Sequence, residues 1–412
     1  MRLTTWAWRN LARNRRRTGI TILSVAFGVV LAVTFIGSAD YSYTSMINTS
    51  AVMGPGHLTV QHPAYQDSPN PEHRLAGAEA IRAASLGLPG VVAARARILG
   101  QAMFASGNKS SGGGFVAIDP HEEEPGHNLF LRTIVQGRPF ADSESREVVV
   151  GERLAERLSI GLGKKLVFTV TDANGELVSE MARVCGIFRT GDEAADGGLA
   201  LLPIGLVRQA LGYGPEDASL VAVFLADHRR ADPLRGALAR LLPTPNAASV
   251  LTWQESQADL AGLIAVDRLF NYLLQLLVGL VIAAGVMNTL LMSVMERRRE
   301  FGIMLAIGMG PGQLAWLVLL ESCWIGLGGL LCGALLSTPW VLYMQRVGID
   351  LSRFIGTDYS AGGVLVDPVL RFAIHPPHML GIGAVALGLT LLAALFPAFR
   401  AGRTPPMGSL RR

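Results

Sequence analysis

The chain has 412 residues, of which 50% are hydrophobic and only 17% charged, whereas a soluble protein of this size carries about a quarter charged residues. This excludes a purely cytosolic enzyme, a disordered chain and a fibrous repeat, and three cysteines exclude a disulfide-built scaffold. The net charge of +4 becomes informative only when divided by region.

The apolar excess sits in four blocks. A bilayer core about 30 Å thick needs roughly 20 apolar residues of helix. The first block, Gly19 to Ala39, is uncharged and predicts a span over 18–39. Gly37-Ser38-Ala39 resembles a signal cleavage site, but the apolar stretch exceeds a usual signal core and a basic segment precedes it, so the block is kept as a span. Residues 40–268 have ordinary soluble composition.

Within that region, short β-branched runs bounded by turn signals predict strands. They are His57 to Val60, Glu147 to Val150, Lys165 to Thr171, Ala182 to Ile187 and Leu220 to Ala226. Helices are predicted at Ala76 to Leu86, Glu152 to Leu158 and Pro233 to Leu242, and loops at Gly112-Gly113-Gly114 and Asp192 to Gly198. Thr252 to Glu255 has the form of a capping box. No proline follows until Pro311, and Leu260, Leu263, Ile264, Leu269 and Leu273 recur at helical spacing. One helix from Trp253 to about Val294 would be roughly 63 Å long, about twice the bilayer core; the alternative is an independent helix with a kink near Gly262.

The second block, Leu269 to Val294, predicts a span over 269–294, with Asn271, Gln275 and Asn288 as its strong polar groups. After a short loop, 295–312, the third block, Leu314 to Tyr343, predicts a span over 313–343 containing one acid, Glu321. A loop over 344–378 leads to the uncharged fourth block, Met379 to Phe399, a span over 379–399, and a tail over 400–412. The predicted fold class is therefore an α-helical membrane protein with four transmembrane helices and a large extracytoplasmic α/β (α+β) domain inserted between helices 1 and 2.

Basic residues near span ends set orientation. Residues 1–17, the loop after the second span and the tail together carry net +11, whereas residues 40–268 carry net −6. Both termini and the short loop are thus predicted to be cytoplasmic, and the large domain to be outside.

Catalytic signals are sparse. His121 and His127 flank Glu122-Glu123-Glu124-Pro125-Gly126. A metalloprotease helix needs two histidines one turn apart, so this reads as an acidic surface loop and no metal is expected. No Gly-x-Ser-x-Gly elbow and no phosphate-cradling Gly-x-x-x-x-Gly-Lys-Ser/Thr loop occurs. Cys185 stands alone in the large domain, with Cys323 and Cys332 inside a span.

Intramembrane polar groups are functional candidates, which singles out Asn288 and Glu321. For Glu321, about one and a half turns into its span, a structural role and a place on a substrate path both stay open. Gly326, Gly329 and Gly333 are spaced to let helices approach closely, within one chain or between two. The sharpest local signal is Val286 to Gly312. A span ends, Glu296-Arg297-Arg298-Arg299-Glu300 follows, and an amphipathic segment places Phe301, Ile303, Met304 and Ile307 together. Such a helix suits docking into a groove of another protein or lying at the membrane edge with its arginines on lipid phosphates.

This segment resembles the Asn-x-x-Leu-x-Ser-Val-x-Glu-Arg-x-x-Glu-Ile-Gly stretch of the FtsX/MacB/LolC–LolE superfamily of ABC-transporter permeases. The match runs from Asn288-Thr289 through Ser293-Val294 and Glu296 to Ile303, then Ala306-Ile307-Gly308. Glu147 to Ala155 with Ile160 to Lys164 resembles the family's outer domain. Pro397 to Ala401 with Pro405 to Arg411 resembles its closing motif, and Trp8 to Thr18 its elbow helix, here residues 1–17. Gly56 to Tyr65 resembles the entry to the outer domain of LolE-like members.

The resemblance implies a periplasmic core domain like that of MacB and a location in the bacterial inner membrane. It implies a coupling helix over Glu296–Gly308 that takes force from a separate cytoplasmic ABC ATPase dimer. ATP and magnesium would be held by that partner and no cofactor by this chain, which is itself no enzyme. It also implies a second permease copy or a paralogue, and lipoprotein extraction toward a periplasmic lipoprotein carrier; no nucleic-acid partner is expected. A lipid-anchored cargo would suit a cleft between spans one and two lined by Val29, Val33, Leu277 and Val281, with Asn288 nearby. The alternatives are a MacB-like exporter and an FtsX-like regulator of a periplasmic hydrolase.

Overall fold

The structure is a computed structural model that describes residues 3–13, 15–242, 248–355, 360–361, 364–365 and 368–403. Helices α1 (Leu3–Arg13) and α2 (Arg15–Met53) open the chain, followed by β1 (Leu58–Gln61), α3 (Ala78–Leu86), β2 (Val91–Ser106), β3 (Lys109–Ile118) and α4 (Leu129–Arg132). Next come β4 (Ile134–Gly137), β5 (Glu147–Gly151), α5 (Glu152–Leu158), β6 (Lys165–Thr171), β7 (Leu177–Phe188), α6 (Glu193–Gly198), β8 (Leu199–Pro203) and α7 (Ile204–Leu211). The domain ends with β9 (Leu220–Leu225), α8 (Ala231–Ala239), β10 (Ser249–Thr252) and α9 (Trp253–Ser256). The remaining helices are α10 (Ala258–Glu296), α11 (Arg298–Ala306), α12 (Pro311–Arg346), α13 (Ser352–Ile355) and α14 (Pro376–Gly402). Two compact units result: residues 42–265 with 351–368, and residues 1–41 with 266–350 and 369–412.

The first unit is built on one ten-stranded sheet in the order β10-β1-β9-β2-β3-β8-β5-β7-β4. Strand β6 pairs with both β2 and β7, so β2, β3, β8, β5, β7 and β6 close into a ring. Closure removes the open edges that would otherwise template aggregation. An apolar core that includes Val116, Ile118, Phe130, Phe140, Val149, Phe188 and Leu201 packs against this part of the sheet.

Four expectations for this unit are corrected. Gly112-Gly113-Gly114 is no loop but lies inside β3, paired with Met103, Ala102 and Gln101 of β2. A Cβ on Gly113 would stand 2.4 Å from the Gly198 carbonyl oxygen, so the glycine allows a backbone to pass at a distance no other residue permits. Asp192 to Gly198 is not a loop either, because two carboxylates organise the α6 turn despite its glycines. Asp192 accepts from the Ala195 N–H at 2.9 Å, and Asp196 accepts from the Thr190 N–H and hydroxyl, each at 2.7 Å.

The third correction concerns the long helix. The capping box is present, with the Thr252 N–H donating to Glu255 Oε2 at 2.9 Å. It opens only the four-residue α9, because Gln257, at φ −129° and ψ 59°, breaks the helix and accepts a hydrogen bond from Ser50. From Ala258 onward α10 is continuous and passes Gly262 without a break.

The His121–His127 loop is anchored from beneath. Glu123 is buried, where a surface residue was expected, and forks onto the fully buried Arg97 at 2.6 and 2.9 Å. Arg97 also donates to the carbonyls of Gly54 and His127 and stacks over Phe224. No cluster of three metal-ligating side chains occurs among the described residues.

The second unit holds residues 15–41 of α2 and 266–296 of α10, with all of α12 and α14. These four helices are each long and apolar enough to cross a membrane. Gly329 and Gly333 seat α12 on α2: a Cβ there would stand 2.5 Å from Val25 Cβ and 2.7 Å from Val29 Cβ. Gly326 faces the other way, with its added Cβ 2.9 Å from Leu387 of α14. All three glycines therefore serve packing within the chain. Helix α10 is held only in part. Val286 and Leu290 are buried against Val25, Ile325 and Ala394, whereas Leu269, Phe270, Tyr272, Leu273, Leu274, Leu276 and Leu277 are exposed.

Candidate functional site

Helix α11 follows α10 after a single residue, Arg297, whose backbone at φ −94° and ψ 13° is outside the helical range. The turn divides α11 into two faces. Phe301 is fully buried and Met304 packs beside it, in a cluster with Ala7, Val294, Leu314, Leu317, Val318 and Ala398. Ile303 and Ile307 lie on the other face, 46% and 78% exposed, with Arg298 and Arg299 also exposed. The single apolar face expected from Phe301, Ile303, Met304 and Ile307 is thus split: one pair fixes the helix and the other pair is presented.

Charges complete the seat. Arg297 is buried, and its Nη1 donates to Glu321 Oε1 at 2.9 Å and Oε2 at 3.0 Å. Its Nε donates to Glu300 Oε2 at 3.0 Å, and its guanidinium stacks on the Phe301 ring at 4.9 Å. Asn10 of α1 donates a further hydrogen bond to Glu321 at 2.8 Å. Glu321 therefore faces a cation and an amide inside the helix bundle. Burial alone would raise the Glu300 carboxyl, but hydrogen bonds from Arg13 and Arg297 hold it below the usual carboxylate range. Arg17 forks onto Glu296 at 2.6 and 2.9 Å. Exposed pairs of that kind contribute about 0–1 kcal/mol each, whereas removing one partner of a buried pair costs about 3–5 kcal/mol.

A cavity of about 30 Å³ opens beside this cluster, lined by Asn10, Leu11, Arg17, Thr18, Thr21, Thr289, Leu290, Ser293, Arg297, Glu321 and Ile325. The sequence pattern pointed to the charge cluster but not to Asn10, Arg13, Arg17 or the choice of Arg297 among three arginines. The one available signal was an acid inside an apolar span, which needs a partner.

The substrate-path residues are not brought together. Val29 and Val33 are buried among Val341, Met344, Phe372 and Ile382, on the α12 and α14 side of α2. Leu277 and Val281 are 60% and 66% exposed on α10, and Asn288 is exposed on the same helix. The four apolar residues line no common cleft, because the glycines of α12 draw that face of α2 into the bundle. Catalytic chemistry has no better support: burial pushes the Cys185 thiol up to about 11, which leaves it a weak nucleophile. The closing motif at Pro405 to Arg411 lies outside the described residues.

Residues 18–241 match the MacB-like periplasmic core domain family and residues 272–406 the FtsX-like permease C-terminal family. The chain is 24% identical over 340 residues to the lipoprotein-releasing system transmembrane protein LolC of Neisseria meningitidis, covering 78% of each. It is 25% identical over 264 residues to LolE of Haemophilus influenzae, covering 63% of each. To the pyoverdine export ATP-binding/permease protein PvdT of Pseudomonas entomophila it is 26% identical over 424 residues, covering 98% of this chain and 58% of that protein. The extracellular domain of the transporter YknZ from Gram-positive bacteria aligns with 47% of this chain at 18% identity and a TM-score of 0.34. Four helices suited to a membrane, an α/β domain between the first and second, and two family matches that together span most of the chain lead to one conclusion: the chain belongs to the FtsX/MacB/LolC–LolE superfamily of ABC-transporter permeases.

Proposed function

We propose that the chain is the permease subunit of an inner-membrane ABC transporter whose ATP-hydrolysing subunit is a separate cytoplasmic protein. Helix α11 is the docking element. Its outward Ile303 and Ile307, flanked by Arg298 and Arg299, offer an apolar contact with a cationic rim, a composition suited to a protein groove. The observation that carries this reading is the division of α11 into a buried anchoring face and an exposed apolar face. A helix merely lying on lipid would not need Phe301 and Arg297 sunk into the bundle.

The orientation follows from the arginine-rich ends, with both termini inside and the α/β domain outside. The cargo we propose is a lipid-anchored protein leaving the membrane, as the names of LolC and LolE support. The second permease copy or paralogue and a periplasmic carrier belong to the same reading. The PvdT match over nearly the whole chain favours a second one, export of a soluble small molecule.

The test is to purify the tagged full-length chain in nanodiscs with its ABC ATPase. Ile303→Asp with Ile307→Asp should abolish ATPase association while leaving the permease folded. Full association by the double variant refutes the docking assignment. Photo-crosslinking of acylated against non-acylated cargo separates lipoprotein release from soluble export.

A further inference from the structure

The buried Arg297–Glu321 pair has no part in docking, yet it stands directly behind the docking helix. We propose that Glu321 is a positioning residue: through Arg297 and Asn10 it makes α11 move as one piece with α12 and α1. Force received at Ile303 and Ile307 then enters several helices, not α10 alone. The inference rests on the reading of α11 as the docking helix and adds how its displacement is transmitted.

Helices α10 and α11 are joined through one non-helical residue, Arg297, so a push on α11 would tilt it about that point. Phe301 and Met304 oppose that tilt further along α11, and the Arg297 side chain opposes it at the pivot itself. Both Glu321 oxygens accept from Arg297, and one of them also accepts from Asn10. Nη1 bridges both Glu321 oxygens while Nε of the same planar group donates to Glu300, and a guanidinium held at two of its nitrogens is fixed in orientation as well as distance. One carboxylate on α12 thereby ties the start of α11 to α1. The exposed Arg13–Glu300 and Arg17–Glu296 pairs lie outside this core and are weaker restraints.

The pair is also poorly explained as a stabiliser. Apolar residues of similar volume usually serve a core as well or better. Moreover, Arg297 Nη2 is buried with no hydrogen-bond partner among the described residues. It adjoins the polar cavity lined by Thr18, Thr289 and Ser293, which is large enough for a water. A cation kept in the bundle at that cost fits a geometric role.

The experiment uses the full chain in nanodiscs, with Cys185, Cys323 and Cys332 replaced by serine and nitroxide labels at Ile303→Cys and Leu331→Cys. Leu331 is an exposed residue of α12. Electron–electron distances are measured without ATPase. The parent should give one narrow distance. Glu321→Gln, which keeps the shape and loses the charge, should broaden it. Because labels at Ile303 perturb docking, ATPase association and hydrolysis are read on unlabelled protein. There Glu321→Gln should retain association while permease-stimulated hydrolysis falls about tenfold.

Arg297→Lys keeps the charge but cannot hold Glu321 and Glu300 at once from one planar group, and should behave alike, which covers the case in which Glu321→Gln does not fold. An unchanged distance distribution, or full stimulation in either folded variant, overturns the proposal. Failure of the parent chain to bind any ATPase refutes the docking reading instead, and the ATPase-free distance measurement still decides whether the tie exists.

Discussion

Acid should weaken the α/β unit through His57, and the size of the effect follows from its surroundings. His57 is buried just before β1. Its Nδ1 accepts the Leu225 N–H at 3.0 Å, and its Nε2 lies 3.0 Å from Asn48 Oδ1. The ring must therefore be neutral with its proton on Nε2, because a protonated Nδ1 cannot accept. Burial comes first in lowering the ring to about 4, the neighbouring His228 and His127 add to it, and Asp227 opposes them.

The unfolded chain binds this proton near 6.5 and the folded one only near 4. Stability is therefore complete above pH 6.5 and declines as pH falls through that window. At 1.36 kcal/mol per unit the full loss is about 3 kcal/mol, of which about 2 kcal/mol is gone by pH 5. Hydrogen exchange of the Leu220–Leu225 amides in the full-length protein, corrected for intrinsic rates, measures it. The stability difference between the native chain and His57→Gln should narrow by about 3 kcal/mol between pH 7 and pH 4. A difference that stays constant refutes the assigned tautomer and its burial.

Two further outcomes concern packing. Gly329→Ala places a Cβ 2.5 Å from Val25 and should lower thermal stability in detergent by about 1–3 kcal/mol, whereas Gly285→Ala, which meets nothing within 4 Å, should be neutral. Glu123→Gln leaves the Arg97 charge buried without its counter-ion and should cost the α/β unit about 3–5 kcal/mol, measured by urea unfolding, with greater protease sensitivity across residues 119–128.

The four membrane helices were legible because hydropathy is a local property and needs no knowledge of neighbours. The mixed character of the large domain was legible for the same reason. The ring closed by β6 was not, since its pairing with β2 joins Val167 to Ala105 and Thr169 to Met103 far along the chain. The glycine run in β3 was misleading because its partner, the Gly198 carbonyl, is equally remote.

At α11 the information was present but incomplete. At about 100° per residue, Ile303 lies roughly 200° from Phe301, so the two faces of α11 were readable from spacing alone. The selection of Arg297 among three consecutive arginines was not. It depends on where the helix turns and on an acid 24 residues later in another helix. The packing of Val29 and Val33 was not legible either, because it depends on α12 residues about 300 positions away, among them Gly333 against Val29.

The uneven support along α10 has a consequence for the solvent around it. Its later half is packed by Val286 and Leu290, while the exposed side chains of Leu269 to Leu277 meet acyl chains where no second protein covers them. Swinging those exposed side chains exchanges one lipid contact for another, so the order of the surrounding hydrocarbon contributes to the resistance of that half. Fluidity and thickness of the bilayer thereby become mechanical parameters of the protein, acting on the freer half of the helix while the other half stays clamped.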